Sequence, residues 1–173
     1  MEGIKIMELK HIEKLNSIIE DFVKPFNCKV EVDTDFAYYP NEKIVTWSPF
    51  IMDKADRYFN EYVKENYSNI KADIFLWSLL HEVGHHMTYN MWSDELIKKF
   101  NETKLYAEEL LKKEDLTAQQ EKISYFVYFS TSDEDCATKW AAEYMEIYSE
   151  RVEKFWNKFL EEYKNFLSLN KIR

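Results

Sequence analysis

The sequence predicts a single, mostly helical α+β domain that spans residues 1–173. Two glycines and three prolines leave few residues suited to tight turns, which favours long helices over a β-sandwich or barrel. Apolar residues recur at helical spacing along most of the chain, while one stretch near the N-terminus alternates as strands do. A chain of this length can form one core without a second domain, and it contains no repeat or linker-like tract.

The N-terminal third is predicted to contain a helix and two strands. The helix covers Glu8 to about Lys24, where Pro25 ends the apolar pattern. Residues 28–33 alternate and are rich in β-branched side chains, and residues 44–47 have the same character. With a turn at residues 38–43, the two strands form a hairpin or the edge of a small sheet.

Helices are predicted over the remainder of the chain. Ser48 and Pro49 form a helix start, and Ser68 or Asn69 is placed to cap the helix after that. The tract Ser130–Asp133 is predicted to cap a single long C-terminal helix. The predicted helices cover Pro49–Glu65, Ile70–Asn90, Ser93–Lys113, Thr117–Phe129 and the stretch from this cap to the C-terminus.

Charge and composition exclude several classes of function. The formal net charge of −9 disfavours binding to nucleic acid or to anionic membranes, since both require a basic face. The N-terminus lacks the apolar region of a signal peptide, and the longest near-apolar run, Ile74–Leu80, is too short to span a bilayer. Cys28 and Cys136 lie far apart, as expected of ordinary thiols in a reducing compartment. We therefore expect a soluble cytoplasmic protein.

The stretch from His81 to His85, His-Glu-Val-Gly-His, carries the strongest chemical signal. On a helix, positions i and i+4 share one face, so both imidazoles can bind one ion. Glu82 lies beside them and can reach a water on that ion. This HExxH pattern is typical of zinc hydrolases, in which the histidines are ligands and the glutamate is the general base. His86 is predicted to be a polar neighbour at the helix edge.

A catalytic zinc usually has three protein ligands, so one more is required. His86 is a neighbour of His85 rather than a turn away and points off the ligand face, and no further histidine follows it, so the acidic cluster at residues 133–135 is the best source of a carboxylate. Glu134 shares a predicted helix face with Ala137 and Trp140, which points it toward the core, while Asp133 caps the helix and Asp135 faces water. Asp133 and Asp135 stay alternatives. Thr138, one turn after Glu134, is placed to hydrogen-bond a metal ligand.

The motif followed by Glu134-x-x-Ala137-x-x-Trp140-Ala141 resembles the ImmA/IrrE-type zinc metallopeptidases, which include phage- and prophage-encoded proteins. The resemblance covers the two motif helices. It implies a gluzincin-type, zincin-like fold and a zinc ion held by His81, His85 and Glu134, with Glu82 as the base. It also implies a protein substrate, often a helix-turn-helix repressor.

The function predicted from the residues is zinc-dependent peptide hydrolysis. The strand at residues 44–47 is a candidate to hold an extended substrate as an added strand. Tyr125, Tyr128 and Tyr144 lie near the segments from which an oxyanion donor must come. One alternative is a non-catalytic, antirepressor-like protein that binds a partner. A less favoured alternative is a carboxylate-bridged di-iron protein, suggested by the two Glu-x-x-His turns at residues 8–11 and 82–85.

Overall fold

The computed structural model describes residues 2–49, 54–113 and 115–170. Within them, seven helices and one three-stranded sheet confirm the mostly helical α+β fold. None of the helices in this described part combines the length and the apolar character needed to cross a membrane. The elements are α1 (Glu2–Val23), β1 (Lys29–Val32), β2 (Ala37–Tyr39), β3 (Ile44–Trp47), α2 (Lys54–Asn66), α3 (Ile74–Thr88), α4 (Asp94–Leu111), α5 (Ala118–Phe129), α6 (Ser132–Ile147) and α7 (Ser149–Asn170).

The sheet differs from the predicted hairpin. Its strand order is β1-β3-β2, with β1 parallel and β2 antiparallel to β3. Tyr38 and Tyr39, which were predicted to lie in a turn, belong to β2. The turn is confined to the following residues and contains Lys43 with a left-handed φ of 56°. A three-residue strand next to Pro40 is too short for its alternation to be detected in the sequence.

Helix α3, which carries the HExxH motif, forms the centre of the molecule. It packs against α6 on one side and against β2 and β3 on another. Asp73 caps it by accepting a hydrogen bond from the backbone N–H of Phe75 at 2.9 Å, so the helix starts later than predicted. Leu79 and Val83 are fully buried, whereas Met87, one turn after Val83, is exposed.

Helices α3 and α6 approach each other most closely at Gly84. A Cβ atom added to Gly84 would lie 2.4 Å from the backbone oxygen of Ala137 and 3.0 Å from its Cα. Ala137 and Ala141 of α6 are fully buried. Because both surfaces are built from small residues, the two backbones come together. Side chains on the two helices near this contact can therefore reach each other.

The predicted single C-terminal helix is two helices in the structure. The backbone leaves helical geometry at Tyr148 (φ −112°, ψ 34°), whose side chain is half exposed. Beyond this break α7 packs along α1. Arg151 supports the bend, because its guanidinium donates to Tyr144 Oη at 2.7 Å and to the backbone oxygen of Phe22. No glycine or proline marks the break, so the helical periodicity continued through it in the sequence.

Other predicted boundaries changed at element ends. Helix α1 begins at Glu2 rather than Glu8. The helix predicted from Pro49 runs through residues 50–53, which lie outside the described residues, and α2 is described from Lys54. Both cysteines, Cys28 and Cys136, are free thiols.

One buried ion cluster joins α1 to α7. Glu162 of α7 is 3% exposed, and its carboxylate contacts His11 Nδ1 and Lys14 Nζ of α1. Burial by itself raises the pKa of Glu162, but the hydrogen bonds from Lys14 and His11 outweigh it and lower the pKa below its usual value. The ionised carboxylate therefore stabilises the contact between the terminal helices.

We expect the Gly84→Ala substitution to destabilise the protein. Alanine gains about 1 kcal/mol in helix propensity over glycine, but its Cβ meets the α6 backbone, which cannot rotate away. Overpacking of this kind costs about 1–3 kcal/mol, and the backbone contact places it at the upper end, so the free energy of unfolding falls by about 2 kcal/mol. Urea denaturation measures this change, with exposed Met87→Ala on the same helix as control. A more stable Gly84→Ala protein would contradict the close approach.

The Glu162→Gln substitution tests the ion cluster between α1 and α7. A carboxyl group whose pKa is lowered on folding stabilises the native state above its unfolded pKa, near 4.5, and that contribution is lost as the pH falls through the folded pKa. We expect the variant to lose about 1 kcal/mol at pH 7 and progressively less below pH 4.5. Denaturation curves across this pH range, with the exposed neighbour Glu161→Gln as control, measure the difference. A loss of stability that does not change with pH would contradict this contribution of the ionised carboxylate.

Candidate metal centre

The side chains of His81, His85 and Glu134 converge on one point between α3 and α6. His81 Nε2 lies 3.0 Å from Glu134 Oε2 and 3.1 Å from His85 Nε2. His85 Nε2 lies 3.4 Å from the same carboxylate oxygen. Among the described residues, these three form the one group of histidine, cysteine and acidic side chains whose ligand atoms are close enough to hold a metal ion.

The triangle of ligand atoms has the size that a tetrahedral ion requires. Atoms bound at about 2.0–2.1 Å from one ion at tetrahedral angles stand about 3.3 Å apart, close to the separations of 3.0, 3.1 and 3.4 Å between these atoms. Without a cation or protons, three lone pairs facing each other at this distance would repel. The donor set is therefore suited to a small divalent cation, with a further coordination position left for another ligand.

Thr138 sets the orientation of the first histidine. Its hydroxyl donates to the backbone oxygen of Glu134 at 2.8 Å, which leaves the hydroxyl oxygen free to accept from His81 Nδ1 at 3.0 Å. An imidazole that donates through Nδ1 can present the lone pair of Nε2 to a metal ion, and Nε2 is the atom of His81 that faces the centre. The hydrogen bond predicted for Thr138 is thus present, and Thr138 is fully buried.

Glu134 is buried and ionised. Burial alone raises the pKa of a carboxyl group, but the charge and hydrogen bonds of His85 and His81 outweigh it and hold the pKa of Glu134 well below its usual range. Its neighbours in sequence point elsewhere. Asp133 pairs with Lys104 and is not the N-cap of α6, which is Thr131, whereas Asp135 lies 3.5 Å from Tyr62 Oη and pairs with Lys139 at 2.7 Å. Of the three candidate acids, the structure brings only Glu134 to the histidines.

Glu82 lines the cleft beside this centre and has no hydrogen bond or ion pair with any described residue. Burial raises the pKa of Glu82 to about 7, and Glu134 and Asp35 act in the same direction against the opposing effects of His81 and Lys104. An unpaired carboxyl group with a pKa near neutrality can take up and release a proton, as a general base must.

Lys104 of α4 is a site residue that the sequence did not reveal. Its side chain is 15% exposed, and its ammonium group contacts Glu134 Oε1 and Asp133 Oδ2. It also lies over the ring of Tyr128, 5.6 Å from the centroid. Although burial lowers the pKa of a lysine, the carboxylate of Glu134 and the hydrogen bonds with both acids raise the pKa of Lys104, so it stays charged. No local pattern in the sequence distinguishes Lys104 from the other lysines of α4.

His86 is held by two hydrogen bonds rather than lying free at the helix edge. Its Nε2 donates to the backbone oxygen of Phe26 at 2.9 Å, so its Nδ1 accepts from Tyr38 Oη at 3.0 Å. Since Tyr38 belongs to β2, the residue after the motif joins the motif helix to the edge of the sheet.

The centre opens into a cleft of about 600 Å³. Its walls come from α3, α4, the end of α5, the start of α6 and residues 34–38 before and within β2. Two buried polar side-chain atoms in the described part of the chain lack a hydrogen-bond partner, Trp92 Nε1 and Asp133 Oδ1, and both residues line this cleft. Buried polar groups are usually paired, so their position here is typical of a surface that receives a polar ligand.

Comparisons with known proteins identify no relative. No family model, curated protein or solved structure matches this chain.

The arrangement required by a di-iron centre is not present in the described residues. His11, the histidine of the first Glu-x-x-His turn, contacts Glu162 between α1 and α7 and takes no part in the group formed by His81, His85 and Glu134. The side chain of Glu8 lies outside the described residues. The carboxylate ligands that a second iron ion would need are thus not gathered around the motif helix among the described residues.

Removal of the Thr138 hydroxyl should weaken metal binding. Thr138→Val keeps the shape of the side chain but leaves His81 Nδ1 without its acceptor, so we expect the affinity for Zn²⁺ to fall about 10- to 100-fold, while Thr138→Ser retains it. Competition with a chromophoric chelator measures the affinity. Thr103→Val is the control, because Thr103 makes the same bond to its own helix, to the backbone oxygen of Lys99 at 3.2 Å, on the exposed face of α4. Equal affinities in Thr138→Val and the parent protein would show that this bond does not orient the ligand.

Proposed function

We propose that the protein is a zinc-dependent endopeptidase of the ImmA/IrrE type that cleaves a regulatory protein in the cytoplasm. The observation that carries the proposal is the convergence of His81, His85 and Glu134 on one point, beside the unpaired carboxyl group of Glu82, in an open cleft. The three ligand atoms are spaced for one ion.

The chemistry of the donor set favours zinc. Two imidazole nitrogens and one carboxylate oxygen form the ligand set of hydrolytic zinc sites, which keep a further position for water or substrate. Calcium and magnesium prefer sites built mainly from oxygen ligands. When bound, zinc lowers the pKa of a coordinated water toward about 7 and polarises the carbonyl group of the scissile bond.

Glu82 performs the proton transfers in this proposal. It lies one residue after the first ligand, lines the cleft and has no partner that would neutralise its carboxylate. As the water attacks the peptide carbonyl, Glu82 accepts its proton and then transfers a proton to the leaving amine.

Tyr128 is the best candidate to stabilise the oxyanion that forms on the carbonyl group. Of the three tyrosines suggested by the sequence, only Tyr128 lines the cleft. Burial, together with the charges of Glu134 and Glu82, raises the pKa of Tyr128, so its hydroxyl group keeps its proton and can donate. Tyr144 instead receives a hydrogen bond from Arg151, and Tyr125 stacks on Tyr58.

Strand β2 replaces β3 as the proposed site for an extended substrate. The sequence suggested residues 44–47, but β3 is the central strand and pairs on both sides. Strand β2 pairs on one side with β3, and residues 34–38 line the cleft. A peptide that adds to this edge by main-chain hydrogen bonds would place its backbone beside the metal centre. Because main-chain hydrogen bonds depend little on side chains, this mode of binding supports hydrolysis of an extended chain.

The substrate class follows from the resemblance and from the net charge. The resemblance implies a helix-turn-helix repressor as partner, and such proteins carry basic surfaces that a chain with a net charge of −9 would attract. The same charge disfavours direct contact with nucleic acid or an anionic membrane. A non-catalytic, antirepressor-like protein would use the same cleft for binding without turnover, and this difference is open to measurement.

The Glu82→Gln substitution separates catalysis from metal binding. Glutamine keeps the size of the side chain but cannot accept the proton, so we expect cleavage to fall at least about 100-fold while one zinc ion per chain stays bound. Cleavage of a diverse peptide library followed by mass spectrometry gives the activity, and elemental analysis gives the metal content. Exposed Glu95→Gln on α4 is the control. Full activity in Glu82→Gln would exclude Glu82 as the base, and binding of a repressor without cleavage by the parent protein would favour the antirepressor alternative.

A further inference from the structure

Lys104 reaches the metal centre from a helix that is otherwise mostly exposed. Of the α4 residues only Ala107 is fully buried, yet the Lys104 side chain is 15% exposed and ends between two carboxylates. Burial of an ammonium group is costly unless it is paired, and here both Asp133 and Glu134 pair with it. The lysine is therefore held firmly in the position that it occupies.

The two oxygens of Glu134 have different partners. Oε2 lies 3.0 Å from His81 Nε2 and 3.4 Å from His85 Nε2. Oε1 contacts the ammonium group of Lys104. A carboxylate can bind a metal through one oxygen or through both, and the second mode would take up a further coordination position. With Oε1 bound to Lys104, only Oε2 is available to an ion between the histidines.

We propose that Lys104 is a positioning residue that restricts Glu134 to one metal-bound oxygen and thereby keeps a coordination position open for water or substrate. The inference rests on the metal site of the proposed function. The HExxH motif specifies ligands and a base, but it does not specify what keeps a coordination position open. A hydrolytic zinc centre needs that open position as much as it needs its ligands.

Asp133 gives this arrangement its rigidity. Its Oδ2 contacts the Lys104 ammonium group, so the lysine is anchored by a residue that is not itself near the histidines. The ring of Tyr128 lies beneath the same ammonium group and favours a cation at that point. Asp133 and Tyr128 thus hold Lys104 in position. Lys104 therefore orients Glu134 without relying on its contact with Glu134 alone.

The test is the coordination number of the metal. X-ray absorption at the zinc edge of the zinc-loaded parent protein should show four nitrogen or oxygen ligands, with a single oxygen from a carboxylate. In the cobalt-substituted protein, Lys104→Met should weaken the visible absorption bands, as expected when a fifth ligand joins a tetrahedral Co²⁺ ion, while metal stays bound. The same variant should lower kcat about 10- to 100-fold, the scale seen when groups that support metal ligands are removed, with KM little changed.

The controls distinguish this role from a purely structural one. Lys104→Arg keeps a cation at the carboxylate and should keep the parent spectrum. Lys99→Met removes an exposed lysine of the same helix, whose partner is Glu95 at 3.1 Å, and should change neither spectrum nor kcat. An unchanged spectrum in Lys104→Met would overturn the inference even if its melting temperature were lower. If Lys104→Met does not fold, the parent protein provides the test. A parent zinc ion that is bound by both oxygens of Glu134 would overturn the inference.

The result also separates this inference from the proposed function. One result is a zinc ion that is four-coordinate in the parent protein and five-coordinate in Lys104→Met while neither protein cleaves any peptide. That result supports the positioning role and excludes the peptidase activity. Turnover that persists with unchanged coordination in Lys104→Met supports the peptidase and removes the positioning role.

Discussion

The contact between the backbones of α3 and α6 is the constraint on which the rest of this structure depends. At Gly84 the absence of a Cβ allows the motif helix to lie directly on the backbone of Ala137. The i and i+4 histidines then stand above the first turn of α6, where Glu134 is located. A wider separation would leave the three ligand atoms outside the reach of one ion. A single small residue therefore links the packing of the core to the chemistry of the cleft.

Around that contact, each charged group has a specific partner. The carboxylate of Glu134 faces the imidazoles with one oxygen and Lys104 with the other, and Asp133 supplies the second partner of the ammonium group. Thr138 connects His81 to the backbone of α6. Glu82 differs from them, because it lines the same cleft without a hydrogen bond or ion pair to another described residue. Burial raises the free energy of an unpaired charge, which raises the pKa of Glu82 and suits this group to proton exchange.

Much of the fold could be predicted because it follows from local patterns. The predicted bounds of α4 and α5, Ser93–Lys113 and Thr117–Phe129, lie close to the observed ones, because Ser93 and Thr117 cap these helices in the structure. The break at Tyr148 was missed, since neither glycine nor proline marks it and only the packing of α7 on α1 requires the turn. The parallel pairing of β1 with β3 was missed because register and direction depend on a three-residue strand inserted between them in the chain.

The sequence by itself determined the chemistry of the motif. The spacing of His81, Glu82 and His85 depends only on helix geometry, and the helical face shared by Glu134 and Ala137 favoured Glu134 over its two acidic neighbours. Tertiary structure alone decided the entry of Lys104 from α4, the pairing of His86 with Tyr38, and which strand edge faces the cleft. Periodicity within one helix reports which side chains share a face. It carries no information about a group that arrives from a distant segment, because that distance is set by how whole elements pack.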